Sequence, residues 1–260
     1  MEATRYSVDN GVALLELNRP ERRNALNEVM RNELRDVVTQ LRDDRNVHAL
    51  IITGAGDAFC AGGDLKGIGS AGLDNQGWRN RMADLHNWLK DLLALDKPVI
   101  AAVDGPAYGA GFSLALAADF IIATPRARFC MSFMKVGAIP DLGAFYTLPR
   151  IVGPRRAKEL MLSAREVKAE EAQSLGIVNE IVPVETLQAR ARTLAESFAG
   201  ASPLAVSLIK RAVTASSISD MNTMLDIEAM SQALVFGCDY HHEAISRFLN
   251  KQPPMFNWPE

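Results

Sequence analysis

The chain has 260 residues, 48% of them apolar, enough to bury a sizeable core in one large domain with an appendage. Its 28 Lys and Arg against 31 Asp and Glu leave a formal charge of -3, which gives no global basic field and so speaks against a duplex nucleic acid partner. Cys60, Cys130 and Cys238 are an odd number without metal-ligand spacing, so all three are expected to be reduced, buried and structural. No basic segment leads into an apolar run at the N-terminus, and no stretch of about 18 apolar residues occurs, so the expectation is a cytoplasmic protein without a membrane span.

Taken in chain order, a polar segment around Tyr6 and Val8, then Asn10-Gly11, then the apolar run Val12 to Leu17 predict a hairpin. Met30, Leu34, Val37, Val38 and Leu41 recur at helical spacing, and Asn27 stands where it can cap the first turn. Ala49 to Thr53 predicts a buried strand. Trp78, Met82, Leu85, Leu89 and Leu92 mark a second amphipathic helix, and Pro98 to Val103 a second buried strand. Leu114 to Ala118 reads as a compact helix, Phe120 to Ala123 as strand, and Val178 to Val182 as the last strand. Only helices follow, over Glu185 to Phe198, Pro203 to Ala215, Asp220 to Phe236 and Tyr240 to Leu249. The alternation gives an α/β class. Residues 1–199 are expected to form the core that carries the site, and residues 200–260 a helical oligomerisation region. Leu204, Leu208, Met221, Met224, Leu225, Met230 and Leu234 suit either a subunit interface or core packing there.

Two glycine turns stand beyond strand ends, where α/β folds place ligands. One is Phe59-Cys60-Ala61-Gly62-Gly63-Asp64-Leu65-Lys66; the other is Gly105-Pro106-Ala107-Tyr108-Gly109-Ala110-Gly111. Glycine lets a ligand approach main-chain amides that no Cβ shields, and the second turn also opens a helix, where amides are unpaired. Two such amides can stabilise a carbonyl gaining negative charge. Neither turn closes with Gly-Lys-Ser/Thr or matches a dinucleotide fingerprint, which weighs against nucleotide hydrolysis and hydride transfer.

With these residues the sequence resembles the crotonase superfamily, the enoyl-CoA hydratase/isomerase family, nearly end to end. Asn18-Arg19-Pro20 with Asn24-Ala25-Leu26-Asn27 looks like that family's first loop and helix start. The first glycine turn looks like its first oxyanion segment, and Lys97 through Asp119 looks like its second. Ile139-Pro140 through Leu148-Pro149-Arg150 looks like the stretch beside the acyl group. The resemblance implies a crotonase-like spiral of ββα units with a C-terminal helical region. It also implies trimers or dimers of trimers, and acyl-CoA thioester substrates, with coenzyme A entering as part of the substrate and no prosthetic group. The oxyanion amides it implies are those of Gly63 and Ala110. Arg22, Ala61, Asp64, Leu65, Lys66 and Phe133 fall at substrate or CoA positions, and Phe248 and Lys251 on a closing helix that can reach a neighbouring subunit's CoA.

Hydration of an enoyl thioester needs a base for water and an acid for the α-carbon. By the resemblance, Ser113 and Phe133 stand where the family's hydratases carry their two glutamates, and neither a hydroxyl nor a phenyl ring transfers protons at neutral pH. Two-glutamate hydratase chemistry is therefore disfavoured. Asp141, in Ile139-Pro140-Asp141-Leu142-Gly143, stands where double-bond-shifting members often carry a single acid. Phe133, Ile139, Leu142 and Phe145 are expected to desolvate it and raise its pKa. Three readings follow: an enoyl-CoA isomerase with Asp141 as acid/base, a hydrolase or dehalogenase type with Asp141 as nucleophile, and an acyl-CoA-binding protein reduced in catalysis.

Overall fold

Strands and helices alternate along the computed structural model, which describes residues 1–259. β1 (Thr4–Asp9) and β2 (Val12–Leu17) pair antiparallel, Asp9 opposite Val12, across the Asn10-Gly11 turn. A 3-10 turn over Pro20–Arg22 leads into α1 (Glu28–Asp43), where the Asn27 side chain accepts the Met30 amide at 2.9 Å and satisfies one of the helix's orphan donors. Next come β3 (Ala49–Gly54), α2 (Leu65–Gly69), α3 (Asn75–Leu93), β4 (Val99–Val103), β5 (Pro106–Tyr108) and α4 (Ala110–Ala115). β6 (Phe120–Ala123) and β7 (Arg128–Cys130) precede a 3-10 helix over Ser132–Val136. Then follow α5 (Ala144–Ser163), β8 (Val167–Lys168), α6 (Ala169–Ser174), β9 (Glu180–Ile181) and α7 (Leu187–Ser197). The last helices are α8 (Pro203–Ser216), α9 (Met221–Phe236) and α10 (Asp239–Leu249).

The main sheet runs β1-β2-β3-β4-β6-β9, parallel from β2 onward. β3 as far as Ile52, and β4 throughout, are apolar because both faces are covered, and the period of two sorts their side chains. Leu50, Ile52, Val99, Ala101 and Val103 enter the core shared with Met30, Leu34 and Val37 of α1 and Leu85, Leu89 and Leu92 of α3. Ala49, Ile51, Ile100 and Ala102 turn to the other face, against Leu187, Ala191, Leu194 and Ala195 of α7. A second sheet, β5-β7-β8, lies beyond the carboxyl end of β4. An isolated bridge from Cys60 to Ala107 ties the first glycine turn to it.

Several expectations shift. The compact helix starts at Ala110 rather than Leu114, directly on the second glycine turn, and the last strand shrinks to Glu180–Ile181. α5, for which the sequence sets no element, forms despite Pro149 and Pro154. It tolerates them by a kink at Gly153, where φ is 75° and ψ 159°. Cys60 and Cys130 are buried and free as expected, but Cys238 is only half-buried, because it caps α10 at a turn rather than packing inside an element. No residue of α8, α9 or α10 is buried within the chain, and no helix among the described residues is long and apolar enough to cross a membrane.

Candidate active site

The two glycine turns meet. Cys60 N–H donates to Pro106 O at 3.0 Å and Tyr108 N–H to Cys60 O at 2.8 Å, so the turns are fixed to each other through main chain. The first turn is also pinned on its other side. Ala61 N–H donates to Arg23 O (2.8 Å), Leu26 N–H to Gly62 O (2.7 Å) and Asp64 N–H to Leu26 O (3.2 Å). Buried Asn24 holds that loop in place by accepting from Arg19 N–H and donating to the carbonyls of Ala55 and Ala58. The amides on either side of Gly63 are thus consumed or fixed, and among the described residues the Gly63 amide itself meets no acceptor.

The second turn leaves its donor open in the same way. Gly109 N–H donates to Cys130 O at 2.8 Å, and Ser113 N–H closes the first turn of α4 onto Gly109 O. Ala110, the first residue of α4, has no acceptor among the described residues, as expected of an orphan donor at a helix start. Close approach demands glycine at one position above all. Gly62 has φ +99°, and a Cβ there would stand 2.8 Å from Tyr108 O and 3.5 Å from Ala110 N. The Gly62-Gly63 backbone therefore lies against the Ala110 amide, and each of the two turns leaves one main-chain N–H open, which is what an oxyanion hole requires.

Asp141 sits beyond the 3-10 helix, at the mouth of α5. Leu142 and Gly143 both take left-handed φ, +46° and +74°, and the Ala144 amide returns to Asp141 O at 3.1 Å. A buried leucine in that region stores strain and fixes the direction of the residue before it. The carboxyl oxygen Oδ1 is buried with no hydrogen-bond partner. Burial pushes the Asp141 pKa up to about 6, opposed by its own amide and by the charges of Arg81 and Arg31. The apolar surround is narrower than the sequence suggests. Leu142 is buried and Phe133 packs partly on the core, but Ile139 is 72% and Phe145 57% exposed. The carboxyl also faces the oxyanion segment electrostatically: the Cys60 thiol, pushed up to about 12 chiefly by burial, is raised further by the Asp141 charge.

The two positions matched to hydratase glutamates are occupied as the sequence indicates. Ser113 is fully buried, its hydroxyl donating to Gly109 O at 3.2 Å, and the Phe133 ring edge lies 3.7 Å from where a Gly109 Cβ would stand. Asp64 caps α2 by accepting from Gly67 N–H (3.4 Å) and pairs with Arg19 at 3.1 Å; these bonds hold its pKa below the usual range against a raising effect of burial. Ala61 is half-buried behind Gly62, while Arg22, Leu65 and Lys66 are exposed on the rim. Phe248 is 80% exposed, and neither its side chain nor that of Lys251 bonds to any site residue; α10 packs on α9. Tyr146 is turned outward under the Arg150 guanidinium, 3.6 Å from its ring centre, and Asp119 accepts from Val99 N–H and pairs with Lys210. Sequence reasoning missed Arg31 and Arg81, the two cations whose charge reaches Asp141; they are 50 positions apart and meet only because α1 packs on α3.

The model of the family described as enoyl-CoA hydratase/isomerase matches residues 7–259. The chain belongs to that family. It is 38% identical to 1,2-epoxyphenylacetyl-CoA isomerase of Escherichia coli, over 98% of each chain, and 37% identical to crotonyl-CoA hydratase of Syntrophomonas wolfei, over 94% of each. Among solved structures, the enoyl-CoA hydratase/isomerase from Cupriavidus metallidurans superimposes with a TM-score of 0.95 at 43% identity, covering 100% of this chain and 98% of that one. The crotonase-like fold with its C-terminal helical region is thus the fold of this protein, and an acyl-CoA enzyme of the hydratase/isomerase family is its class.

Proposed function

We propose that the protein is an enoyl-CoA isomerase: Asp141 takes the α-proton of a 3-enoyl thioester, the Gly63 and Ala110 amides carry the enolate oxygen, and Asp141 returns the proton to the γ-carbon. The observation that carries this reading is the buried, unpartnered Asp141 oxygen with a pKa of about 6, its charge reaching Cys60 in the first of the two turns that leave an amide open, with Ser113 and Phe133 in place of a second and third carboxylate. A base whose pKa lies near the working pH is the efficient one, and one base suffices because the same proton leaves and returns. The name of the Escherichia coli relative, an isomerase, supports the reading; the hydratase names among other relatives mark its competitor.

The CoA carrier belongs, on this reading, along the exposed rim of Arg22, Leu65 and Lys66, passing Ala61 and Asp64 with its thioester beside Phe133. A homotrimer or dimer of trimers would bring a neighbour's Phe248 and Lys251 to it, and exposed Ile209, Val213, Leu225 and Leu234 on α8 and α9 support such an interface. Coenzyme A is then part of the substrate, and no prosthetic group is required.

A panel of 2-enoyl and 3-enoyl thioesters in deuterated water tests the reaction. The 3-enoyl compounds should convert to 2-enoyl products with no mass gain of a water and at most one deuterium, at the γ-carbon, set by how far the Asp141 proton exchanges with solvent before its return. Formation of 3-hydroxyacyl-CoA as the main product would establish hydration instead, and an aspartyl ester trapped in single turnover would establish nucleophilic chemistry. The pH profile is a second check. Asp141 must be ionised to act, so kcat/KM should climb about tenfold per pH unit below 6, bend near 6 and stay level above it. A bend near 4 would show a solvated carboxyl and remove the basis for the assignment.

A further inference from the structure

Between α1, α2 and α3 lies a cleft of about 680 Å³, of which the substrate path above passes only the Asp64 end. Asn27 and Asp64 line one end of it, each the next residue after Leu26 and Gly63, which bridge to one another. The cleft therefore opens beside the Gly63 amide. Leu73, Leu85 and Trp88 give it apolar wall, and Arg31 and Arg81 face into it.

These two arginines differ from Arg19, Arg165 and Arg190, also partly buried, each of which holds a carboxylate: Arg19 with Asp64, Arg165 with Glu159 and Glu171, Arg190 with Glu180. Arg31 has one long hydrogen bond, 3.4 Å to Leu26 O. Arg81 has none among the described residues; its Nε is buried without an acceptor and its guanidinium lies 5.0 Å from the Trp78 ring centre. Of the carboxylates lining the cleft, Asp64 is already held by Arg19 and the α2 cap, and Glu28 and Asp84 stand beyond ion-pair distance of both arginines among the described residues. Burial, and then the Arg81 charge, pull the Arg31 pKa below its ordinary value, and the charges of Glu28 and Asp141 offset this only in part. A partly buried guanidinium group without a counter-ion in contact is costly, and a planar carboxylate is its matching partner.

We propose that this cleft is a subsite for a distal carboxylate, Arg31 and Arg81 clamping the anionic end of an acyl group whose thioester lies on the Gly63 and Ala110 amides. The substrate class is then the mono-CoA thioester of a dicarboxylic acid, its methylenes along Leu73, Leu85 and Trp88. The inference rests on the acyl-CoA reading proposed above, although not on Asp141 being the base.

Binding separates the two. Calorimetry with saturated mono-CoA thioesters of straight-chain dicarboxylic acids of four to eight carbons, each against the monocarboxylic thioester of equal length, needs no turnover. At the best length the dicarboxylic thioester should bind at least about tenfold tighter, as one to two charge-assisted hydrogen bonds imply. Arg81→Gln or Arg31→Gln should remove most of that preference while leaving the monocarboxylic thioester within about twofold. Equal affinities in the wild type would overturn the inference. So would equal weakening of both thioesters in the variants, the pattern of arginines on the CoA phosphates. The wild-type ratio decides even if a variant fails to fold, and absence of binding by either thioester class would overturn the acyl-CoA reading itself.

Discussion

Asp141→Asn is expected to lower double-bond migration by about 10³- to 10⁴-fold, the upper range for loss of a positioned base, while saturated acyl-CoA binding stays near wild type. The amide matches the carboxylate in shape but cannot accept the α-proton. The same substitution should stabilise the fold at neutral pH. The folded pKa, about 6, lies above the ordinary 3.8, so the unfolded chain gives up this proton more readily than the folded one. The contribution of Asp141 to stability is intact below about pH 4 and is lost as pH rises through 6, a cost that levels off at about 2–3 kcal/mol above it. The substituted amide carries no charge to desolvate, so thermal unfolding at pH 7.5 should rise by about 5 °C or more and the gap between the proteins should close near pH 4. A variant that is inactive but no more stable would mean that the carboxyl is solvated in the folded protein. Full migration activity would end the assignment of Asp141 as base.

A gain of stability on removing a proposed catalytic group is the expected mark of a site that holds its charge in unfavourable surroundings. The hydrophobic pattern shows the surroundings only coarsely. Period-two and helical spacing located β1 to β4, α1 and α3 closely, because the strands form one sheet whose side chains sort between two faces and both helices pack on one of them. Asn27 was legible for a local reason, a short polar side chain at a helix start. α5 was not, since Pro149, Gly153 and Pro154 erase the helical signal and only tertiary packing restores it. The same limit explains the site. Gly62, Gly63, Ala110 and Asp141 could be picked out from motif order, yet nothing along the chain shows that Ile139 and Phe145 turn outward while the charges of two arginines from α1 and α3 reach Asp141. Those cations are properties of a helix–helix contact, not of a motif.

Gly62→Ala gives the second large effect, this time on the oxyanion side. An alanine at φ +99° is strained in any surroundings, by about 1–3 kcal/mol, and here its Cβ would also meet Tyr108 O at 2.8 Å. That carbonyl cannot withdraw, because Tyr108 N–H is bonded to Cys60 O and Cys60 N–H to Pro106 O, within the same pair of turns. The Gly62-Gly63 segment must move instead, carrying the Gly63 amide away from Ala110. Loss of one donor from such a pair costs about 10²- to 10³-fold in kcat, with KM little changed, since the amide acts on the enolate rather than on the ground-state carbonyl. Gly176→Ala separates this from strain alone: its φ is +75°, yet no atom outside its chain neighbours lies within 4 Å of the added carbon. Both variants should unfold several degrees lower, and only Gly62→Ala should lose turnover. Wild-type kcat in folded Gly62→Ala would mean that the Gly63 amide is not what holds the developing negative charge.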